Sequence, residues 1–150
     1  MQGLTRRQAL TLGAAIAGSA LIAPTIAFAK PDDAMAEIMK FTGGATPSEG
    51  RVSLTLPEIA ENGNTVPIGV TVESPMTADN YVKRVLIVAD GNPRAGVAVI
   101  NFSKYSGVAE ASTRMRMAKT QNVIAVAEMS DGSFHVGKRQ VKVTIGGCGG

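Results

Sequence analysis

Residues 66–72 read Val-Pro-Ile-Gly-Val-Thr-Val, with Val or Ile at every second position. This period of two predicts a strand that buries one face in a core. Similar short apolar segments, separated by turn-forming residues such as Asn62-Gly63, occur at residues 52–56, 85–89, 95–102, 109–117, 122–129 and 133–145. Seven short strands in about 100 residues predict an all-β fold, an immunoglobulin-like antiparallel seven-strand sandwich.

One short helix is expected before the strands. Asp32-Asp33 are favourable N-cap residues for a helix over residues 34–41, and Gly43-Gly44 ends the segment. We expect the helix to cover one end of a sheet. The apolar side chains at helical spacing, expected on its buried face, are Met35, Ile38 and Met39.

The last predicted strand changes phase along its length. Phe134 and Val136 occupy even positions, whereas Val141 and the apolar residues after it occupy odd ones. We therefore expect a β-bulge near Gly137. His135 should face away from its two apolar neighbours.

Composition excludes several classes of protein. The 150 residues are 45% hydrophobic and 18% charged, which is typical of one globular domain. A single Cys and a single His cannot form a disulfide framework, a CxxC zinc site or a two-histidine metal site. Without Arg6 and Arg7, 13 basic residues stand against 12 acidic ones, so the remaining charge of about +1 gives no electrostatic case for nucleic-acid binding.

The first 29 residues have the order of an export signal. Arg6-Arg7 precede an apolar run over residues 9–23, and Ala27-Phe28-Ala29 has the small-x-small pattern of a cleavage site. The run is too short and too rich in Ala and Gly to anchor the chain in a membrane. The pair resembles a twin-arginine signal, with Ala9 where that signal usually has Phe. We expect export to the periplasm with cleavage after Ala29; the alternative is an amphipathic first helix of the fold.

Arg114-Met115-Arg116-Met117 has two interpretations. As part of a strand, it points the two methionines into the core and the two arginines into solvent. Copper binding by the thioethers would need more soft ligands than this face supplies. We favour the core interpretation.

The C-terminal pentapeptide Gly146-Gly147-Cys148-Gly149-Gly150 follows the last strand directly. Four glycines around one cysteine predict a flexible arm over residues 146–150, distinct from a helix and sandwich domain over residues 30–145. Extended, the arm would place the sulfur about 10 Å beyond the domain. A tail with an accidental cysteine is the alternative, but an unpaired thiol in an exported protein is a liability unless it is used.

Other roles for Cys148 fail on position. A prenylated cysteine would be fourth from the end, where Gly147 stands, and a lipoprotein cysteine would begin the mature chain. Pairing with His135 would have to span a strand of about 33 Å. We therefore expect no catalytic residue and no metal site.

The arm, the leader and the sandwich together resemble the SoxY family, the sulfur-carrier subunits of the periplasmic sulfur-oxidation (Sox) pathway. The resemblance extends to residues 56–63, 74–76 and 127–134. It implies that Cys148 is loaded with thiosulfate by a c-type haem enzyme as a cysteine S-thiosulfonate. It further implies hydrolytic release of sulfate, oxidation of the remaining bound sulfur by another Sox enzyme, and a heterodimer with a SoxZ-like subunit.

The sequence thus predicts a covalent carrier without a cofactor of its own. Cys148 would be the attachment point, and the tether would consist of Gly146, Gly147, Gly149 and Gly150. An exported interaction module that uses Cys148 for an intermolecular disulfide remains the alternative. A stand-alone enzyme ranks third because no catalytic constellation is apparent.

Overall fold

The protein, analysed as a computed structural model, is described over residues 31–147. The leader with Arg6, Arg7 and the cleavage position after Ala29 lies outside the described residues. The described chain forms one helix and nine strands: α1 (Pro31–Thr42), β1 (Ser48–Glu49), β2 (Val52–Thr55), β3 (Ile59–Ala60), β4 (Val66–Val72), β5 (Val82–Ala89), β6 (Gly96–Asn101), β7 (Ala109–Met115), β8 (Gln121–Met129) and β9 (Phe134–Val143).

Two sheets form the sandwich, as predicted. The large sheet has the strand order β1-β9-β8-β5-β6, and β3 also pairs with β9; the small sheet has the order β2-β4-β7. The seven predicted strands are present as β2 and β4 to β9, and their pairings are antiparallel. The two-residue strands β1 and β3 were not predicted, and both run parallel to β9 along its outer edge.

The large sheet is buried on both faces, which explains the continuous apolar run in β5. Val85 and Ile87 belong to the core between the two sheets, whereas Leu86 and Val88 belong to a second core beneath α1. Strands covered on both faces lose the simple apolar-polar alternation. The fold is therefore a sandwich with a helix as a third layer.

The helix buries Ile38 as predicted, but the rest of its buried face differs from the prediction. Ala34, Ile38 and Phe41 point toward the large sheet, while Met35 and Met39 are each 56% exposed. The difference arises because the small Ala34 and the ring of Phe41 fit the surface of the sheet, which cannot be read from helical spacing alone. Asp32-Asp33 lie in the first turn, where they favour the helix dipole, rather than at the N-cap.

Aromatic and charged side chains fix α1 to the sheet. The Phe41 ring packs edge-on against Phe134 at 6.1 Å, and the Arg84 guanidinium lies 4.5 Å from its centre. Arg84 also donates to Glu128, whose second oxygen accepts from the Lys83 Nζ at 2.7 Å. Burial alone raises the pKa of Glu128, but the hydrogen bonds from Lys83 and Arg84 outweigh it and lower the pKa below its usual value. We call these five residues the helix lock.

The predicted bulge in β9 is absent. The β8–β9 register continues without a shift from Gln121↔Val141 to Glu128↔Phe134. The apparent change of phase arises because Phe134 and Val136 pack beneath α1, whereas Val141 packs in the core between the sheets. One regular strand thus contributes to both cores, and His135 lies on the opposite face from its neighbours.

The core interpretation of residues 114–117 is confirmed. Met115 and Met117 are 5% and 0% exposed, and both arginines are exposed. No helix in the described part of the chain is long and apolar enough to cross a membrane.

Candidate functional site

The structure describes the first two residues of the C-terminal pentapeptide. Cys148, Gly149 and Gly150 lie outside the described residues, so the geometry of the site is that of Gly146 and Gly147 and what they contact. These two glycines follow β9 after a short bend and reach the loop before β4 and the segment after β7. The base of the arm is therefore set by two other parts of the chain.

Main-chain hydrogen bonds join the three segments. The Gly63 N–H donates to the Ile145 carbonyl at 2.7 Å, and the Gly147 N–H donates to the Met117 carbonyl at 2.9 Å. The Met117 N–H donates in turn to the Gly63 carbonyl at 2.8 Å. Each link is a normal hydrogen bond by its length. Gly147 is consequently held on the domain, one residue before the cysteine.

Glycine is required here by close approach. A β-carbon at Gly147 would lie 2.6 Å from the Gly63 carbonyl oxygen, and one at Gly63 would lie 2.6 Å from the Gly147 nitrogen. A β-carbon at Gly146 would overlap the Ala118 carbonyl oxygen. None of the three has the positive φ that favours glycine in turns. We call Gly63, Gly146 and Gly147 the glycine seat.

The seat corrects the expectation of a free arm at its first two residues. Gly147 is buried and hydrogen bonded, so Gly146 and Gly147 belong to the folded domain. Glycine next to a strand suggests freedom, but glycine also permits the close contact of two backbones, and here the second property applies.

Two buried amides support the segment that contacts the seat. The Asn92 side chain donates to the Arg116 carbonyl at 2.8 Å and accepts from the Ala118 N–H at 3.0 Å. Gln121 donates to the Asn92 Oδ1 at 2.8 Å and accepts from the Gly91 N–H at 2.8 Å. Asn92 and Gln121 are 3% and 4% exposed. In the sequence, Asp90-Gly91-Asn92-Pro93 indicates a turn, and nothing in this pattern indicates the network.

The lone histidine lies away from the seat. His135 is in register with Ser48 and Ala127, whereas the end of β9 near the seat is in register with Gln121. The eight residues from His135 to Val143 span about 26 Å in an extended strand. Its Nδ1 is buried without a hydrogen-bond partner in the described chain. His135 thus lies far along β9 from the glycine seat, and the expectation that it does not act with Cys148 stays a prediction.

Residues 31–147 contain no cluster of three or more His, Cys, Asp or Glu side chains that could hold a metal ion.

Known proteins resemble this chain in sequence and in fold. The family model of the sulfur oxidation protein SoxY matches residues 38–148. The structure of the sulfur carrier protein SoxY from Chlorobium limicola f thiosulfatophilum is 30% identical with a TM-score of 0.64, over 75% of this chain and 94% of that one. A search of curated protein sequences found no match.

Superoxide reductases share the fold. The enzyme from Ignicoccus hospitalis is 15% identical with a TM-score of 0.54, over 77% of this chain and 94% of its own. The enzyme from Nanoarchaeum equitans is 13% identical with a TM-score of 0.54, over 65% of this chain and all of its own. At this identity the likeness concerns architecture alone. The family match over residues 38–148 and the 30% identity to a solved SoxY show that this chain belongs to the SoxY family of sulfur oxidation proteins.

Proposed function

We propose that this protein, a sulfur carrier of the Sox system by its family, holds sulfur intermediates of thiosulfate oxidation covalently on Cys148. The observation that carries the proposal is the position of this residue. Cys148 directly follows Gly147, whose hydrogen bond to Met117 holds the base of the arm on the domain. A thiol on a short tether with a fixed origin can be presented to several enzymes in turn.

The chemistry needs a thiol and nothing else from this chain. In loading, a bond forms between the Cys148 sulfur and the outer sulfur of thiosulfate, the thiol proton leaves, and two electrons pass to a c-type haem enzyme. Hydrolysis then breaks the bond to the sulfone sulfur, water supplies the oxygen of the released sulfate, and a persulfide remains on Cys148. A third Sox enzyme oxidises that sulfur. The carrier acts as a substrate, without catalysis or a cofactor of its own.

The glycine seat supports a carrier over a structural tail. A tail without function has no need of three main-chain segments in mutual contact, two of which have glycine at the point of contact. Exposed apolar side chains lie beside the seat: Ile145, whose carbonyl bonds to Gly63, is 68% exposed, and Ile59 in β3 is 54% exposed. Such side chains suit transient contact with the enzymes that receive the arm.

A SoxZ-like subunit is the proposed stable partner. The sandwich leaves β6 at one edge of the large sheet and β2 and β7 at the edges of the small sheet. Val99 of β6 is 50% exposed. Unpaired edge strands with apolar side chains favour association with a second β-protein. The heterodimer would assemble before export.

The proposed location is the periplasm. The leader with Arg6-Arg7 supports twin-arginine export and cleavage after Ala29, which would make Lys30 the first mature residue. N-terminal sequencing of the periplasmic protein checks the cleavage position.

Mass spectrometry tests the carrier role. The mature protein, incubated with thiosulfate, the loading enzyme and an electron acceptor, should gain the mass of one thiosulfate on Cys148. Cys148→Ser should gain nothing and unfold at the same temperature. Cys148→Ser with Ser106→Cys is the matched control, since it places one thiol on an exposed loop away from the seat. Loading of that thiol, or a native protein isolated only as a disulfide dimer, would favour the interaction module instead.

A further inference from the structure

Charge is unevenly distributed along the described chain. Residues 91–120 contain five basic side chains and one acidic side chain, Glu110. The rest of the described chain has seven basic and eleven acidic ones. The small net charge of the protein therefore conceals a basic segment and an acidic remainder. The basic segment includes β6, β7 and the stretch that contacts the glycine seat.

Three arginines of this segment line one groove. Arg94, Arg114 and Arg116 surround a volume of about 390 Å³ between the edge strands β6 and β7, where the sandwich is open. All three side chains are exposed, and none forms an ion pair with another residue of the described chain. We call this feature the arginine groove. Its planar guanidinium groups are suited to binding an oxyanion through paired N–H donors.

The groove and the seat share the segment after β7. Asn92 lines the groove and bonds to the Arg116 carbonyl, and the next residue, Met117, accepts the hydrogen bond from Gly147. A sulfonate on Cys148, two S–S bonds of about 2 Å beyond the cysteine sulfur, can reach about 11 Å from the Gly147 Cα. An extended arginine side chain reaches about 7 Å from its own Cα. Arg116 precedes Met117, whose carbonyl oxygen is 2.9 Å from the Gly147 nitrogen, so the Arg116 Cα lies within about 11 Å of the Gly147 Cα. The sulfonate and the Arg116 guanidinium are therefore within mutual reach.

We propose that the arginine groove binds the terminal sulfonate of the adduct on Cys148 of the same chain. This inference rests on the proposed function, because the ligand is the cargo of the carrier. The bound position is a resting state in which the sulfonate is partly shielded from small thiols. Exposed guanidinium contacts are individually weak and screened by salt, so the cargo remains available to partner enzymes.

The adduct can be made without any enzyme. The purified mature protein is treated with tetrathionate. The Cys148 thiolate attacks a central sulfur, the central S–S bond breaks, and thiosulfate leaves with the electron pair. The product is the S-thiosulfonate. Failure of this adduct to form would count against Cys148 as an attachment site and hence against the proposed function. Its formation leaves the groove to be tested separately.

Two measurements test the groove. The arginine side-chain NMR resonances of Arg94 and Arg116 should shift in the adduct relative to the free thiol. The adduct should also react with a small thiol about threefold to tenfold more slowly than in the double variant Arg94→Gln/Arg116→Gln. Loss of positive charge alone would slow the reaction of the adduct with an anionic thiolate. A faster reaction in the variant therefore indicates that the arginines no longer shield the adduct. Lys104→Gln, which removes one charge from the same basic segment, should match the wild type.

Two results would overturn the proposal. One is an adduct that leaves the arginine resonances unchanged and is reduced at the same rate in every variant. The other is a shift of the arginines by added inorganic sulfate without any shift by the adduct, which would show an anion site that the cargo does not use.

Discussion

The helix lock and the glycine seat hold two parts of the same domain in different ways. The lock depends on side chains, with two aromatic rings and an ion-pair network that fill the space between α1 and the large sheet. The seat depends on the main chain and on the absence of side chains at three positions. Side-chain packing tolerates graded replacement, whereas a backbone contact excludes every β-carbon. Substitutions in the lock should therefore affect stability, and those in the seat should affect how the thiol is presented.

Among substitutions in the seat and the lock, Gly147→Leu should reduce the enzymatic loading of Cys148 most. The new β-carbon would meet the Gly63 carbonyl at 2.6 Å and the Asn64 nitrogen at 2.9 Å, so the hydrogen bond to Met117 should break. We expect enzymatic loading of Cys148 to fall roughly tenfold to a hundredfold, as misplaced reacting groups do. Reaction with small thiol reagents should be unchanged. Loading kinetics and reagent titration measure the two rates.

Gly149→Leu separates two explanations of that effect. This substitution adds a side chain to the arm at a position outside the three residues of the seat. If only Gly147→Leu slows loading, the fixed base of the arm is what matters; if both do so equally, the width of the arm explains the result and the seat contributes nothing.

Phe41→Ala should lower the free energy of unfolding without slowing the loading of Cys148. It removes the ring that contacts Phe134 and Arg84, and we expect a loss of about 2–3 kcal/mol in the free energy of unfolding. Loading should remain at the wild-type rate under native conditions. Urea denaturation measures the first quantity, and Met39→Ala on the exposed face of α1 is the matched control. A loading defect in Phe41→Ala would contradict the separation of the two regions.

Asn92→Ala tests how the seat is supported. The Ala118 N–H and one Gln121 N–H would lose their acceptor, which costs about 1–3 kcal/mol for a buried group. Because Ala118 also touches Gly146, loading should fall as well, though less than in Gly147→Leu. Asn122→Ala removes a more accessible amide at the start of β8 and serves as the control. Stability loss with unchanged loading would mean that the network does not position the arm.

The smallest expected effect is a change in how the stability of the protein depends on pH. The lowered pKa of Glu128 means that its contribution to stability is complete at neutral pH, and it is lost as the pH falls from the usual value of 4.5 through the lower folded value. Glu128→Gln should therefore unfold with a weaker dependence on pH in this range. Urea midpoints at about pH 7 and pH 4 test this. An equal pH dependence in both proteins would show that the ion pairs contribute no stability.

The sequence predicted what depends on local pattern. Strand β4 has the predicted bounds, since its alternation is regular, and the Schellman-type end of α1 follows from Gly43-Gly44, with the Gly44 N–H bonded to Met39 at 3.0 Å. Strand β5 begins earlier than predicted because Lys83-Arg84 interrupt its apolar run, although Val82 and Arg84 still pair with β8 on either side of a bulge at Lys83.

Features that depend on distant partners were beyond the sequence. The buried face of α1 is determined by the contacts of Phe41 with Phe134 and Arg84, which are distant in the sequence. Strands β1 and β3 have two residues each and no period to detect. At the candidate site, the pentapeptide points to Cys148, which lies outside the described residues and stays a prediction. The role of Gly63 requires knowing that Ile145 and Met117 lie beside it.

The arrangement of the seat also has a consequence for folding. Gly147 follows the last strand of the sandwich, whereas Gly63 and Met117 beside it lie in the loop before β4 and in the segment after β7. Contacts between such distant segments close a long loop and therefore form late in folding. A chain with an incorrectly assembled sandwich has no surface on which to fix the arm. Correct presentation of the thiol thus reports that both sheets have formed, so that only completed molecules would enter the reaction cycle at full rate.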